Sequence, residues 1–333
     1  MDMTGRSELE EAKKAKNLII LKQLPDYVTE WYYSFAASGV TAETLKTYLW
    51  NISYFLREIN QTPKDIKVSS FDQKMINKYF TSLKSKVNKR TGKPFSSSMM
   101  INQWLALRSF FEYLHKADYI DKNFINNINK PKNHDIERIN QNRVLLTKND
   151  FKKIIYKVEE KRGQKVYYKD KLVLLLLMTT GMRVSALVGI NLEDIDFKNN
   201  KLTVVDKGEK QHVYVLSESV MRAIRLYYNN LRLPTKNNAL LITKERKRMS
   251  VQMIQRIVAE YSEAALGYKI SPHKLRAGFC SILYNETQNA EFVRRAVGHS
   301  NIATTQRYIV TDNKEKEEAS LIMENIFTKN NND

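Results

Sequence analysis

The chain has 333 residues, 42% hydrophobic and 27% charged, a length suited to two domains that each bury a core, and a composition that excludes disorder. Its 55 Lys and Arg against 36 Asp and Glu leave a formal charge of +19, which predicts a polyanionic partner without separating nucleic acid from a ribosome or an acidic membrane surface. The single cysteine, Cys280, excludes an internal disulfide and a cysteine-based zinc site. The N-terminus lacks the apolar core of a signal peptide, and the longest apolar run, residues 172–178, is too short for a bilayer, so a soluble cytoplasmic protein is expected.

Residues 1–23 form a charged lead-in with a helical pattern around 8–22. The spacing over 24–128 predicts a four-helix domain. It comprises an aromatic helix around 27–35, a face of Leu45, Leu49, Ile52, Phe55 and Leu56 behind an N-cap at Thr41, a helix around 75–83, and a face of Trp104, Leu107, Phe111 and Leu114. Between the third and fourth patterns lies a basic stretch, Lys84, Lys86, Lys89, Arg90 and Lys93, which suits a nucleic-acid backbone and equally suits a solvated loop.

Residues 129–146 read as a linker, of which 129–142 are polar, without periodicity and interrupted by Pro131. The second domain is expected over 147–312, opening on a capping box of Thr147 and Asp150. Within it, residues 202–205 and 213–216 form a hairpin signal around DKGEKQH, with Gly208 for the turn. Helical patterns then return, and 313–333 reads as a C-terminal helix and tail, striped by Ala319, Ile322, Met323 and Ile326. The fold class is therefore mainly α with a small β-hairpin or sheet, α+β, in two domains.

Four motifs in the second domain carry chemistry. An apolar helix stops near Gly181 and presents Arg183; on its own this is an ordinary helix end. The hairpin turn holds Lys207 and Lys210, whose ammonium groups reach a phosphate or donate a proton, or are merely exposed. In SPHKLRAGF, His273 and Arg276 share a helix face, pairing a proton-exchanging imidazole with a bidentate phosphate clamp, although a surface His and Arg pair looks the same in sequence. In VGHSNIATTQRYIV, His299 follows a glycine turn and Tyr308 lies nine residues on; composition alone does not single it out from 18 tyrosines.

Taken together, the Arg, the Lys, His-x-x-Arg, Gly-His and the later tyrosine occur in the order seen in the tyrosine recombinase family (phage integrase and Xer-like proteins), which the whole chain resembles. The resemblance implies a C-shaped clamp of a helical core-binding domain and a catalytic domain. It implies that Arg183 and Arg276 hold the scissile phosphate, His299 hydrogen-bonds it, His273 assists proton transfer and Tyr308 attacks. Lys207 matches the general acid that protonates the leaving 5′ oxygen, with Lys210 as the fallback. Two departures, Ala186 where the family often has Glu and Ala277 where it often has His, bear on how Arg183 and the lysine loop are held.

The implied reaction uses no metal or other cofactor, because two guanidiniums and an imidazole neutralise the phosphate, and the phosphotyrosine bond conserves the energy for rejoining. The sequence has neither a P-loop motif nor a spaced carboxylate set. The implied partners are double-stranded DNA bearing a recombination site, further copies in a tetramer that exchanges C-terminal helices, and accessory DNA-bending or directionality proteins. The Lys84, Lys86, Lys89, Arg90 and Lys210 side chains are candidate DNA contacts. Alternatives are a type IB topoisomerase and a DNA-binding regulator without chemistry.

Overall fold

The computed structural model describes residues 5–87, 92, 94–132, 145–205, 211–232 and 234–298. The chain divides into two compact units, Met1–Arg143 and Val144–Asp333. Among the described residues no helix is long and apolar enough to cross a membrane.

The first unit is helical: α1 Gly5–Leu21, α2 Asp26–Ala37, α3 Ala42–Ile59, α4 Gln73–Ser85 and α5 Ser97–Lys116. Side-chain caps start three of these helices. Thr41 accepts from the Thr44 N–H, Asp72 from Met75 and Ser96 from Met99, each satisfying a main-chain donor that the helix itself leaves unpaired. The core is aromatic. Trp31, Phe55, Phe110 and Phe111 are fully buried, and Phe55 meets Tyr79 edge-on at 4.8 Å and Phe111 at 6.0 Å.

The charged N-terminal segment belongs to this unit as a fifth helix. Leu21 is buried in the same core, and the buried Asn17 donates to the Tyr32 hydroxyl at 3.2 Å. Its polar composition hides the short buried edge, since an asparagine bonded to a tyrosine hydroxyl stands where an apolar residue would be expected.

In the second unit α6 Lys148–Glu159 begins at the expected capping box, with Thr147 Oγ1 accepting from the Asp150 N–H at 3.2 Å and the Asp150 carboxylate from the Thr147 N–H at 2.8 Å. The helices that follow are α7 Lys165–Thr180, α8 Val184–Gly189, α9 Glu218–Asn230, α10 Val251–Leu266, α11 Pro272–Thr287 and α12 Ala290–Val297. Helix α7 is central, with α6, α9 and α11 against it. Its buried Leu172, Val173, Leu174, Leu176 and Leu177 cover more than half of its circumference, as a helix packed by several others requires.

The hairpin is part of a three-stranded antiparallel sheet in the order β1 Ile195–Asp196, β2 Lys201–Val205, β3 Gln211–Val215. Leu202 pairs with Tyr214 and Val204 with His212. The expected second strand, an apolar run at 213–216, therefore begins two residues earlier, and half of that run faces out: Val213 is 53% and Val215 76% exposed. Gln211 joins by main-chain pairing with Val205, which needs no apolar side chain, and the two-residue β1 is too short to show a period.

Candidate active site

The first motif lies where α7 ends. Gly181 caps it in the left-handed region, φ +61, with its N–H bonded to the Leu177 carbonyl. Only glycine fits, since a Cβ there would stand 2.5 Å from the Phe279 ring. Thr180 Oγ1 accepts from the Met182 N–H at 3.2 Å, tightening the turn, and Arg183 follows half-buried at the N-cap of α8. The far end of α8 is braced by Arg248, which donates to the carbonyls of Val188 at 2.7 Å and Ile190 at 3.1 Å.

The third motif starts α11. Ser271 Oγ accepts from the Lys274 N–H, and Pro272 occupies the first helical position, where its missing N–H costs nothing. This places His273 on the exposed first turn and Arg276 one turn on, where it is 3% exposed. Arg276 Nη1 donates to the Gly181 carbonyl at 2.6 Å, and Nη2 to the Val297 carbonyl at 2.9 Å. These carbonyls end α7 and α12, where helix dipoles concentrate negative partial charge, so a buried cation sits between two helix C-termini. Arg276 thus ties the turn before Arg183 to the turn before His299.

The third segment is α12. Asn289 caps it by accepting from the Phe292 N–H at 2.9 Å, and the Glu291 carboxylate, held down to about 2 by hydrogen bonds from Arg294 and Arg295, anchors its exposed face. Gly298 ends it at φ +66, and the ring of His212 from β3 lies directly against it. A strand of the second motif's hairpin and the fourth motif's turn are therefore in contact.

Lys207, Lys210, His299 and Tyr308 lie outside the described residues, as do Lys89 and Arg90 and the C-terminal segment expected to form a helix. Of the candidate DNA contacts in the helical unit, Lys84 and Lys86 are among the described residues. Lys84 is exposed at the last turn of α4, while Lys86 pairs with Glu58 and stands 6.0 Å from the Tyr54 ring centre. Sequence reasoning passed over His212 and Arg248, whose contacts depend on strand register and on residues some 60 to 90 positions away.

The model of the phage integrase family matches residues 144–315. A tyrosine recombinase XerC of Caldanaerobacter subterraneus is 28% identical over 332 residues, covering 92% of this chain and 89% of that protein. The XerC of Thermodesulfovibrio yellowstonii is 30% identical over 227 residues, covering 66% and 73%. Among solved structures, a XerH site-specific recombinase bound to palindromic difH substrate, in a post-cleavage complex, shares the fold with a TM-score of 0.67 at 19% identity, over 94% of this chain and 89% of that one. The chain belongs to the phage integrase family, the tyrosine recombinases. It is an enzyme of site-specific DNA recombination.

Proposed function

We propose that this recombinase cuts and rejoins double-stranded DNA at a specific site through a 3′-phosphotyrosine, exchanging strands between two sites by way of a Holliday junction. The observation that carries the reading is Arg276, whose two main-chain bonds draw the Arg183 turn and the end of α12 together within the segment that the family model matches.

The Tyr308 hydroxyl attacks the phosphorus, His273 assists removal of the phenol proton, and the bond to the 5′ oxygen breaks. Lys207 gives that oxygen its proton, with Lys210 as the alternative donor. Arg183, Arg276 and His299 neutralise the charge that grows on the non-bridging oxygens, an effect for which each preorganised donor contributes about 2.7–4 kcal/mol. The reverse reaction, with a 5′ hydroxyl of the second site, restores the tyrosine and needs no external energy.

The surplus of 19 positive charges supplies non-specific affinity for the phosphate backbone, and Lys84, Lys86, Lys89 and Arg90 are proposed contacts. The protein acts in the cytoplasm as a tetramer on DNA, exchanging C-terminal helices, with accessory DNA-bending or directionality proteins where the element requires them. The test is incubation with a nicked duplex carrying the site, itself selected by binding from a random library. A denaturation-resistant protein–DNA adduct is expected from the wild type and not from Tyr308→Phe; an adduct of equal yield from that variant contradicts the assignment.

A further inference from the structure

We propose that His212 is a positioning residue, which fixes the turn at Gly298 against the lysine-bearing hairpin. The inference rests on the recombinase reading above and adds a residue to it.

Gly298 leaves α12 at φ +66 without a side chain of its own to hold it. Glycine samples more backbone states than any other residue, so a turn made by it stays in one geometry only if something outside braces it. Beside the cap bonds of its own N–H to the Arg294 and Arg295 carbonyls, two braces reach the turn from outside α12. The Val297 carbonyl is held by Arg276, and the α-carbon of Gly298 is covered by the His212 imidazole. A Cβ at 298 would stand 3.1 Å from Nδ1, tighter than most side-chain contacts, and 3.5 Å from Cε1, so the ring lies in van der Waals reach of the turn.

The ring is itself tied to the sheet. It meets Tyr214 edge-on at 4.4 Å, both residues facing inward on β3, and its pairing partner Val204 is buried. In the chain, His212 stands two residues after Lys210 and five after Lys207, while Gly298 stands immediately before His299. One imidazole thus joins the strand that follows the expected general acid to the turn that precedes an expected phosphate ligand. Displacing a catalytic group by 1 Å lowers a rate by about 10²-fold, so a brace at this point acts on the chemical step and leaves DNA binding alone.

The experiment compares wild type, His212→Ala and His212→Phe on the nicked duplex, measuring the affinity for DNA and the single-turnover rate of adduct formation at saturating protein. For His212→Ala an affinity within about 2-fold of wild type and a rate lowered by roughly 10- to 100-fold are expected. His212→Phe keeps a ring over Gly298 and recovers the rate to within a few-fold. Equal rates for His212→Ala and wild type, or equal impairment in the Ala and Phe variants, overturn the proposal. Absence of adduct from the wild type overturns the recombinase reading and this one with it.

Discussion

Arg276 Nη1 donates to the Gly181 carbonyl at 2.6 Å, which stands a guanidinium from the second turn of α11 on the C-terminal end of α7. Its other arm reaches Val297 at 2.9 Å. Replacing it therefore costs folding as well as chemistry. In Arg276→Ala two buried helix-end carbonyls lose their donor, at about 1–3 kcal/mol each, so a loss of roughly 2–6 kcal/mol is expected by urea denaturation. Arg183→Ala, a change at a half-buried N-cap position, is expected to keep its melting temperature and its DNA affinity while losing adduct formation. Unfolding of Arg183→Ala would make that residue structural.

Gly181→Ala is expected to destabilise the second unit by about 2–4 kcal/mol. The left-handed backbone costs a non-glycine residue about 1–2 kcal/mol, and the new methyl runs into the Phe279 ring. Adding Phe279→Leu to Gly181→Ala should recover part of the loss, the share due to the collision. A double variant no more stable than Gly181→Ala, measured by thermal melting, would leave the backbone as the whole cause.

Asp170 is buried in α7, where its carboxylate accepts from the Tyr261 hydroxyl at 2.9 Å. Burial raises its pKa above the ordinary 3.8, outweighing the pull of Lys169 and Tyr261. The folded state thus binds this proton more tightly than the unfolded chain does. The group's stabilising contribution is complete below 3.8 and fades as pH rises through the folded value, so at pH 7 the buried charge is a net cost. Asp170→Asn, which still accepts from Tyr261, should match or exceed wild-type stability at pH 7, with the difference shrinking towards pH 4. A urea midpoint at pH 7 well below wild type would contradict this.

Cys280 is fully buried in α11, and burial pushes its thiol up to about 11 although Arg276 draws it the other way. Native protein at pH 7.5 should therefore resist maleimide for as long as it stays folded, and react within minutes in denaturant. Rapid native labelling would show that α11 opens readily, and with it the Arg276 bridge.

The elements that announced themselves were those whose signal is local. The Thr147 and Asp150 box, the Thr41 cap and the glycine stop before Arg183 need only a few neighbouring residues, and each stands in the structure at the expected residues. The α1 helix was harder to read as part of a core, because its contact with Tyr32 runs through the polar Asn17. Strand β3 was misplaced because apolar content and inward facing are different properties, as the exposed Val213 and Val215 show. Of the site, the motif order was legible and its assembly was not. That the Arg276 side chain supports two helix ends follows from contacts across 95 and 21 residues, and the meeting of His212 with Gly298 from the register of a sheet.

The proposed chemistry turns on which of the 18 tyrosines forms the covalent bond. Digesting the trapped adduct with protease and nuclease, then sequencing the nucleotide-bearing peptide by mass spectrometry, reads that residue directly. The modification is expected on Tyr308, attached through a 3′ phosphate. The nucleotide on any other tyrosine, or joined through a 5′ phosphate, would contradict it.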